Sequence, residues 1–293
     1  MKGFWRFLLS LFCLSSSCFA VESPIVVLVP GYFNFPGVKA PFLNQRLQYF
    51  SSTILATLRA EGLTPVMIED LDPVGTVAEN GDRVKTHFRQ IAKQHPSTKI
   101  SVIAHSAGGL YTAKALTDQP DLPIQEVITI ATPYKGAELA DLIKWIPAQE
   151  EILNVLDLRS LREFQSDQIG AVTSQLRLPR KVRWVALGAE QEVCHLASCW
   201  HADHMSWILS LAWSFMERRG DGVVSVESAT HSVLPAQGGG LIQMENWQDV
   251  PIPLDHWKVV LEPALFKAVG VTDTDWIAGQ QQAIFKQMAR HLR

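Results

Sequence analysis

The sequence lacks any strong excess of one residue type or charge. Its 293 residues include only four cysteines, and 26 basic and 29 acidic side chains leave a formal net charge of −3. Because a basic surface is the usual mark of nucleic-acid binding, we expect no nucleic-acid partner. The chain also has no internal repeat and no low-complexity linker, and 47% of its residues are hydrophobic. We therefore expect residues 21–293 to form a single domain with a sizeable core.

Residues 1–20 have the pattern of a signal peptide. Lys2 and Arg6 give the segment a positive start, and Phe7 to Leu14 forms an apolar stretch. The segment ends at Ala20 with a small residue, as signal-peptidase sites do. Since the apolar stretch is short for a membrane-spanning helix, we expect cleavage, and export to the periplasm or the medium.

The four cysteines form two pairs along the chain. Cys13 and Cys18 lie within the predicted signal peptide, where a lipid attached to Cys18 is the alternative to simple cleavage. Cys194 and Cys199 remain in the exported chain, and two cysteines in an exported protein are more often bonded than free. We therefore predict a disulfide between them. Three histidines within residues 194–204 keep a zinc site open as an alternative, and free thiols are another.

Apolar strands and amphipathic helices alternate along most of the chain. The apolar runs predict five strands, at Ile25–Val29, Pro65–Ile68, Ile100–Ala104, Glu126–Ile130 and Val182–Leu187. The sequence predicts helices between them, at Leu43–Glu61, Gly81–Gln94 and Ala107–Leu116. This alternation indicates an α/β fold with a mainly parallel sheet.

Two segments interrupt the alternation. Residues 137–180 contain helix-like pieces without a clear strand, and residues 200–218 include the almost wholly apolar stretch Ser206–Met216. A helix that is apolar on all sides is normally buried in a core. The alternative is a lid or an acyl-chain wall, so both segments are candidate lid or cap regions.

The strongest local motif runs from Ile103 to Gly109. It follows a buried strand and opens a helix, which is the setting of a nucleophile elbow centred on Ser106. Such a turn needs small residues two positions before and after the serine; Gly108 meets this demand, and Ala104 replaces the usual glycine with one methyl group. By itself the pentapeptide is also compatible with an ordinary strand-to-helix turn capped by serine. His105 should point away from Ser106.

Five ordered motifs resemble those of bacterial triacylglycerol lipases. They are Leu28-Val29-Pro30-Gly31-Tyr32, Asp72-Pro73-Val74-Gly75-Thr76, Ala104-His105-Ser106-Ala107-Gly108-Gly109, Ala131-Thr132-Pro133-Tyr134-Lys135-Gly136-Ala137-Glu138-Leu139-Ala140-Asp141 and Asp221-Gly222-Val223-Val224-Ser225-Val226. The resemblance is good over residues 25–141 and again around 221. It implies the α/β-hydrolase fold, in which helices flank a central, mainly parallel sheet and a helical insertion forms a lid.

The resemblance implies Asp221 as the acid of a Ser-His-Asp triad. In this superfamily the order along the chain is serine, acid, histidine. Asp221 lies in the turn Gly220–Gly222, ahead of the β-like run Val223–Val226. Glu190 and Asp249 are the alternatives.

The resemblance implies His256 as the base, because the histidine of these lipases lies in a late loop. In such a triad the histidine takes the serine proton, and the acid orients the imidazole. The competing histidines are His195, His201, His204 and His231.

The oxyanion hole is expected to consist of two backbone amides. One is the N–H of Ala107, directly after the nucleophile, and the resemblance assigns the other to Tyr32 in the loop after the first strand. Pro30 replaces a histidine of the family in that loop. Tyr32, Phe33 and Phe35 are expected to form an apolar wall beside it, although plain core packing would also explain these aromatics.

We expect no cofactor and no metal. Many lipases of this family hold a structural calcium with an aspartate two residues after the histidine, but that position is Lys258 here. A cation at this position argues against calcium.

Together these observations predict an exported carboxylic-ester hydrolase acting through an acyl-enzyme on Ser106. Lipid esters or other acyl esters are the expected substrates, with transient contact to a lipid interface. An acyltransferase or thioesterase with the same triad is the first alternative. A non-catalytic binding module on this fold is the second.

Overall fold

The computed structural model describes most of the chain from residue 23 onward. The described residues are 23–32, 34, 48–142, 144, 154, 158–191, 219–230, 233–267 and 270–293. Several predictions lie outside them: the signal peptide, Phe33, Phe35, Cys194, Cys199, residues 200–218, and the histidines at 195, 201, 204 and 231.

The central sheet of the described chain has five parallel strands. They are β1 (Ile25–Val29), β2 (Thr64–Met67), β3 (Ile100–His105), β4 (Ile124–Ile130) and β5 (Arg183–Leu187). Their order in the sheet is β2-β1-β3-β4-β5, and every neighbouring pair is parallel. The five strands predicted from apolar runs are thus confirmed to within two residues at each end.

Helices follow or separate these strands. They are α1 (Ser52–Ala60), α2 (Val77–Gln94), α3 (Gly108–Asp118), α4 (Glu138–Leu142), a 3₁₀ helix (Arg159–Phe164), α5 (Ile169–Thr173), α6 (Val226–Thr230), α7 (Pro263–Lys267) and α8 (Thr274–His291). No helix within the described ranges is long and apolar enough to cross a membrane.

Two helix starts differ from the prediction because capping side chains fix them. The first helix was expected from Leu43, but in the described residues α1 begins after Ser51, whose hydroxyl accepts the Ile54 N–H. The second was expected from Gly81, but α2 begins four residues earlier. There Thr76 and Glu79 form a reciprocal capping box.

Apolar side chains are buried on both faces of the sheet. Along β1, Val27 and Val29 belong to one core cluster, whereas Val26 and Leu28 belong to the other. Helices α2 and α3 pack together on the first face, and α1 packs with α8 on the second. This arrangement explains the continuous apolar strands, since neither face of the sheet is left to water. It also brings the loops at the carboxyl ends of the strands together at one edge.

The region after β5 does not continue the predicted alternation of strands and helices. The β-like run Val223–Val226 was expected to be extended, but it forms a turn that leads into α6 at Val226. A two-stranded antiparallel hairpin follows, of β6 (Val233–Pro235) and β7 (Leu241–Gln243). Neither the hairpin nor helix α8 was predicted.

Candidate active site

Ser106 lies at the sharp turn between β3 and α3. Its φ angle is 55°, a left-handed conformation that is strained for any residue but glycine. The turn is held from both sides, because the Ser106 N–H donates to the Ile130 carbonyl at 2.8 Å. The Thr132 hydroxyl donates to the Ser106 carbonyl, also at 2.8 Å. The local structure is therefore the strained elbow that the motif predicted.

The elbow requires glycine at two positions where neighbouring parts of the chain approach each other closely. A Cβ on Gly108 would lie 2.5 Å from the Val29 carbonyl oxygen, and one on Gly31 would lie 2.6 Å from the Ser106 Cβ. Both distances are well inside van der Waals contact. Ala104 is fully buried, so its methyl group fits at the position where glycine is usual.

Three of the predicted site residues meet in one buried line. The Ser106 Oγ lies 2.9 Å from the His256 Nε2, and the His256 Nδ1 lies 2.6 Å from the Asp221 Oδ2. Asp221 and His256 are almost fully buried, whereas Ser106 keeps 7% of its surface exposed. A buried imidazole between a hydroxyl and a carboxylate can accept a proton from the hydroxyl while the carboxylate stabilises the resulting charge.

The second oxygen of Asp221 fixes how the carboxylate points. Asp221 Oδ1 accepts the N–H groups of Val223 and Val224 at 2.9 and 2.8 Å. These bonds fold the chain into a turn, which is the reason that the expected β-like run is not extended. The backbone of His256 also donates to the Asp221 carbonyl at 3.0 Å. Oδ2 is therefore left facing the imidazole.

The alternative acids are not in this line. Glu190 forms a two-pronged ion pair with Arg219 on the protein surface. Asp249 is exposed. Neither is among the groups that contact His256.

The two expected oxyanion donors border the same space as Ser106. Ala107 precedes the first turn of α3, and no acceptor for its N–H lies within the described part of the chain. The Tyr32 side chain is anchored to the 3₁₀ helix, because its hydroxyl lies 2.8 Å from the Ser160 Oγ and its ring packs edge-on against Phe164. Tyr32 and Ala107 line the same cavity as Ser106, and the role of their amides as oxyanion donors stays a prediction.

An apolar cavity of about 420 Å³ opens beside Ser106. It is lined by Tyr32, Ser106, Ala107, Pro133, Ala137, Leu139, Ala140, Leu142, Leu158, Leu161, Phe164, Val223, Val224, His256 and Trp257. Much of this lining comes from residues 137–164, the first candidate cap segment. His256 is the one ionisable side chain besides tyrosine among these described lining residues, so the space suits an uncharged hydrocarbon group.

Lys258 forms a buried ion pair beside His256. Its Nζ lies 3.0 Å from the Asp255 Oδ2, and the two side chains are 9% and 0% exposed. Asp255 also caps the local turn by accepting the N–H groups of Trp257 and Lys258. Across the described residues no group of three His, Cys, Asp or Glu side chains is arranged to hold a metal ion. The absence of calcium stays a prediction.

We expect Lys258→Met to destabilise the fold, because it leaves the buried Asp255 carboxylate without its cation. Breaking a buried pair in this way costs about 3 kcal/mol or more in free energy of unfolding. The matched control is Lys135→Met, which removes the exposed pair with Glu227 and should cost less than about 1 kcal/mol. Urea unfolding of both variants measures the difference, and equal midpoints would contradict the structural role given to Lys258.

A comparison of sequences finds a similarity to a hydrolase family in the central part of the chain. Residues 70–146 match the profile of the family described as "Putative serine esterase (DUF676)". A triacylglycerol lipase of Pseudarthrobacter phenanthrenivorans is 33% identical over 64 residues. That match covers 22% of this chain and 20% of the relative, so the chain spans about a fifth of the relative's length.

Solved structures with low sequence identity share the whole fold. A metagenomic carboxyl esterase superposes with a TM-score of 0.65 at 16% identity, covering 93% of this chain and 76% of the esterase. A lipase from Staphylococcus hyicus gives a TM-score of 0.61 at 13% identity, covering 92% and 95%. Together with the parallel sheet, these similarities show that the chain has the α/β-hydrolase fold, and the central part of its sequence is similar to serine esterases and lipases.

Proposed function

We propose that the protein is a serine carboxylic-ester hydrolase of the lipase or esterase type. The observation that carries the proposal is the buried line from the Ser106 hydroxyl through His256 to Asp221, beside an apolar cavity. Ser106 is the nucleophile, His256 the general base and acid, and Asp221 the group that orients the imidazole. The serine esterase profile supports the same chemistry.

The reaction proceeds in two halves. The Ser106 oxygen attacks the ester carbonyl while its proton passes to the His256 Nε2. The carbonyl oxygen becomes an oxyanion, which the Tyr32 and Ala107 amides stabilise. The tetrahedral intermediate then expels the alcohol, which takes the proton from His256, and an acyl-enzyme remains. Water repeats the sequence, releases the carboxylic acid and restores the serine.

The cavity supports an ester with an apolar acyl chain as the substrate. Side chains at its wall are almost entirely aliphatic or aromatic, so a buried methylene would exchange water for hydrocarbon contact. Relatives named as lipases support lipid esters as the class. The signal-peptide pattern of residues 1–20 supports action outside the cytoplasm.

A series of nitrophenyl esters of increasing acyl length tests this proposal. Each methylene that enters the cavity should contribute about 0.8 kcal/mol, so kcat/KM should rise about fourfold per methylene until the cavity is full. A flat or falling series from the shortest ester would contradict an acyl-binding cavity. Product analysis with added alcohols distinguishes hydrolysis from acyl transfer, since a transferase would form mainly the new ester.

A variant of the cavity wall provides the matched comparison. Ala140 lies on α4 with its methyl group at the cavity, so Ala140→Phe should fill part of the space and shift the optimum to shorter esters. The exposed Ala171→Phe adds the same ring away from the cavity and should leave the profile unchanged. If both variants keep the wild-type chain-length profile, the cavity does not receive the acyl group.

A further inference from the structure

His105, the neighbour of Ser106 in sequence, is fully buried against the active-site histidine. Its ring centroid lies 4.6 Å from that of His256, with the two planes inclined by 48°. Its Nδ1 lies 2.8 Å from the Tyr49 hydroxyl. Burial holds the pKa of His105 well below its usual value, and the proximity of His256 lowers it further. His105 is therefore a neutral imidazole, in which one nitrogen carries a proton and the other does not.

The Tyr49 hydroxyl is the hydrogen-bond partner of the His105 Nδ1. Burial raises the pKa of the Tyr49 phenol far above its usual value, so the hydroxyl keeps its proton. The adjacent backbone of Gly31 opposes that rise in pKa. The Tyr49 hydroxyl and the His105 Nδ1 therefore form a hydrogen bond between two uncharged groups. The Nε2 of His105 is buried and has no hydrogen-bond partner among the described residues.

This pair joins two parts of the active site that are distant in sequence. Gly31 is the residue before Tyr32, in the loop that carries an expected oxyanion donor. It approaches so closely that a Cβ there would lie 3.0 Å from the Tyr49 oxygen and 2.6 Å from the Ser106 Cβ. At the other end, His105 contacts the ring of His256. A shift of the pair would therefore move the oxyanion loop and the imidazole together.

The segment that carries Tyr49 is itself tied to the histidine loop. The Ser51 N–H donates to the Val260 carbonyl at 2.8 Å, and the Ser51 hydroxyl donates to the Gln281 Oε1 at 2.6 Å. The fully buried Gln281 amide in turn donates to the carbonyls of Lys258 and Leu261, both at 2.8 Å. Tyr49 and the loop of His256 thus belong to one hydrogen-bonded unit.

We propose that Tyr49 and His105 are positioning residues, a neutral hydrogen-bonded pair that sets the oxyanion loop and the His256 ring relative to Ser106. The inference rests on the proposed ester hydrolysis, and neither residue lines the cavity. Because both partners are uncharged, the pair orients the imidazole without repelling the positive charge that His256 acquires in each half of the reaction. Errors of alignment are costly in such sites, so the pair acts on kcat.

The test compares Tyr49→Phe, His105→Leu, His105→Asn and the double variant Tyr49→Phe/His105→Leu. Rates are expressed per site titrated with a fluorophosphonate, so that unfolded protein does not count. We expect kcat to fall about tenfold in each of Tyr49→Phe and His105→Leu, with KM within about twofold, as for loss of one buried hydrogen bond. His105→Asn offers a carbonyl oxygen to the Tyr49 hydroxyl and should recover part of the loss.

The double variant shows whether Tyr49 and His105 act on kcat as one unit or independently. If Tyr49 and His105 act together, the double variant should lose about tenfold in kcat, whereas independent effects would multiply to about a hundredfold. Tyr111→Phe is the matched control, since it removes a buried hydroxyl from the cluster on the opposite face of the sheet. That variant should keep the wild-type kcat per titrated site.

Three results would overturn the inference: unchanged kcat per titrated site in Tyr49→Phe and His105→Leu, multiplicative losses in the double variant, or the same loss in Tyr111→Phe. Each presupposes that the wild-type protein is labelled and hydrolyses esters. A wild-type protein that is neither labelled nor active would instead refute the proposed function. The two failures are therefore distinguishable.

Discussion

Replacing Ser106 with alanine is expected to lower kcat for ester hydrolysis by about 10⁴- to 10⁶-fold, because the acyl-enzyme can no longer form. The fold should persist, since the hydrogen bonds that hold the turn do not involve the Ser106 hydroxyl. They run from the Ser106 N–H to the Ile130 carbonyl and from the Thr132 hydroxyl to the Ser106 carbonyl. Nitrophenyl ester hydrolysis and a circular dichroism spectrum measure the two effects. The exposed Ser174→Ala is the control and should retain full activity.

The backbone of the same residue gives the experiment a second, independent readout. Because Ser106 has a φ of 55°, alanine at this position remains strained, whereas glycine does not. We expect Ser106→Gly to be as inactive as Ser106→Ala but more stable than it by about 1 kcal/mol. At most other positions glycine would be the less stable of the two. Lower stability of the glycine variant would show that the turn is not left-handed.

Asp221→Asn is expected to lower kcat by about 10⁴-fold with little change in stability. The asparagine carbonyl can keep the bonds from the Val223 and Val224 amides, which places its NH₂ group against the His256 Nδ1. That NH₂ group would donate to Nδ1 and so select the imidazole with its proton on Nε2. Such an imidazole cannot accept the proton of Ser106.

Asp221→Ala provides the contrast for this prediction. It removes the acceptor of two amides as well as the partner of His256, so it should cost about 2 kcal/mol or more in free energy of unfolding in addition to activity. Thermal unfolding measures the contribution of Asp221 to stability, and kcat measures its contribution to activity. If Asp221→Asn retains kcat within about tenfold of wild type, Asp221 does not select the tautomer of His256.

Much of the fold was predictable because its signals are local. Each central strand is a short apolar run between polar turns, and both faces of the sheet require apolar side chains, so the runs are unbroken. The elbow at Ser106 was predictable for the same reason, since small residues at Ala104 and Gly108 are needed within a single turn. Asp221 and His256 were identified through the resemblance to lipases, and the structure brings them to the serine.

Two predictions of secondary structure were wrong because side chains form hydrogen bonds with nearby backbone amides. The apolar residues of Val223–Val226 predict an extended chain. The Asp221 carboxylate instead accepts hydrogen bonds from two of their backbone amides, and the chain forms a turn. The start of α2 depends on a reciprocal bond between Thr76 and Glu79, which overrides the apolar period.

The Tyr49–His105 pair could not be predicted because its members are 56 residues apart and only the fold joins them. The position of His105 in the elbow motif indicates only that its side chain turns away from Ser106. The hydrogen-bond partner of the His105 side chain depends on how Tyr49, in the segment before α1, packs against the second face of the sheet.

We propose that Ser106 is a nucleophile activated by His256, and covalent labelling of the serine is a direct test. Wild-type protein is treated with a fluorophosphonate probe, digested, and examined by mass spectrometry for the modified peptide. We expect one adduct, on Ser106, together with loss of ester hydrolysis in proportion to labelling, and no adduct in Ser106→Ala. An unlabelled wild-type protein, or an adduct on another residue with Ser106 unmodified, would contradict it.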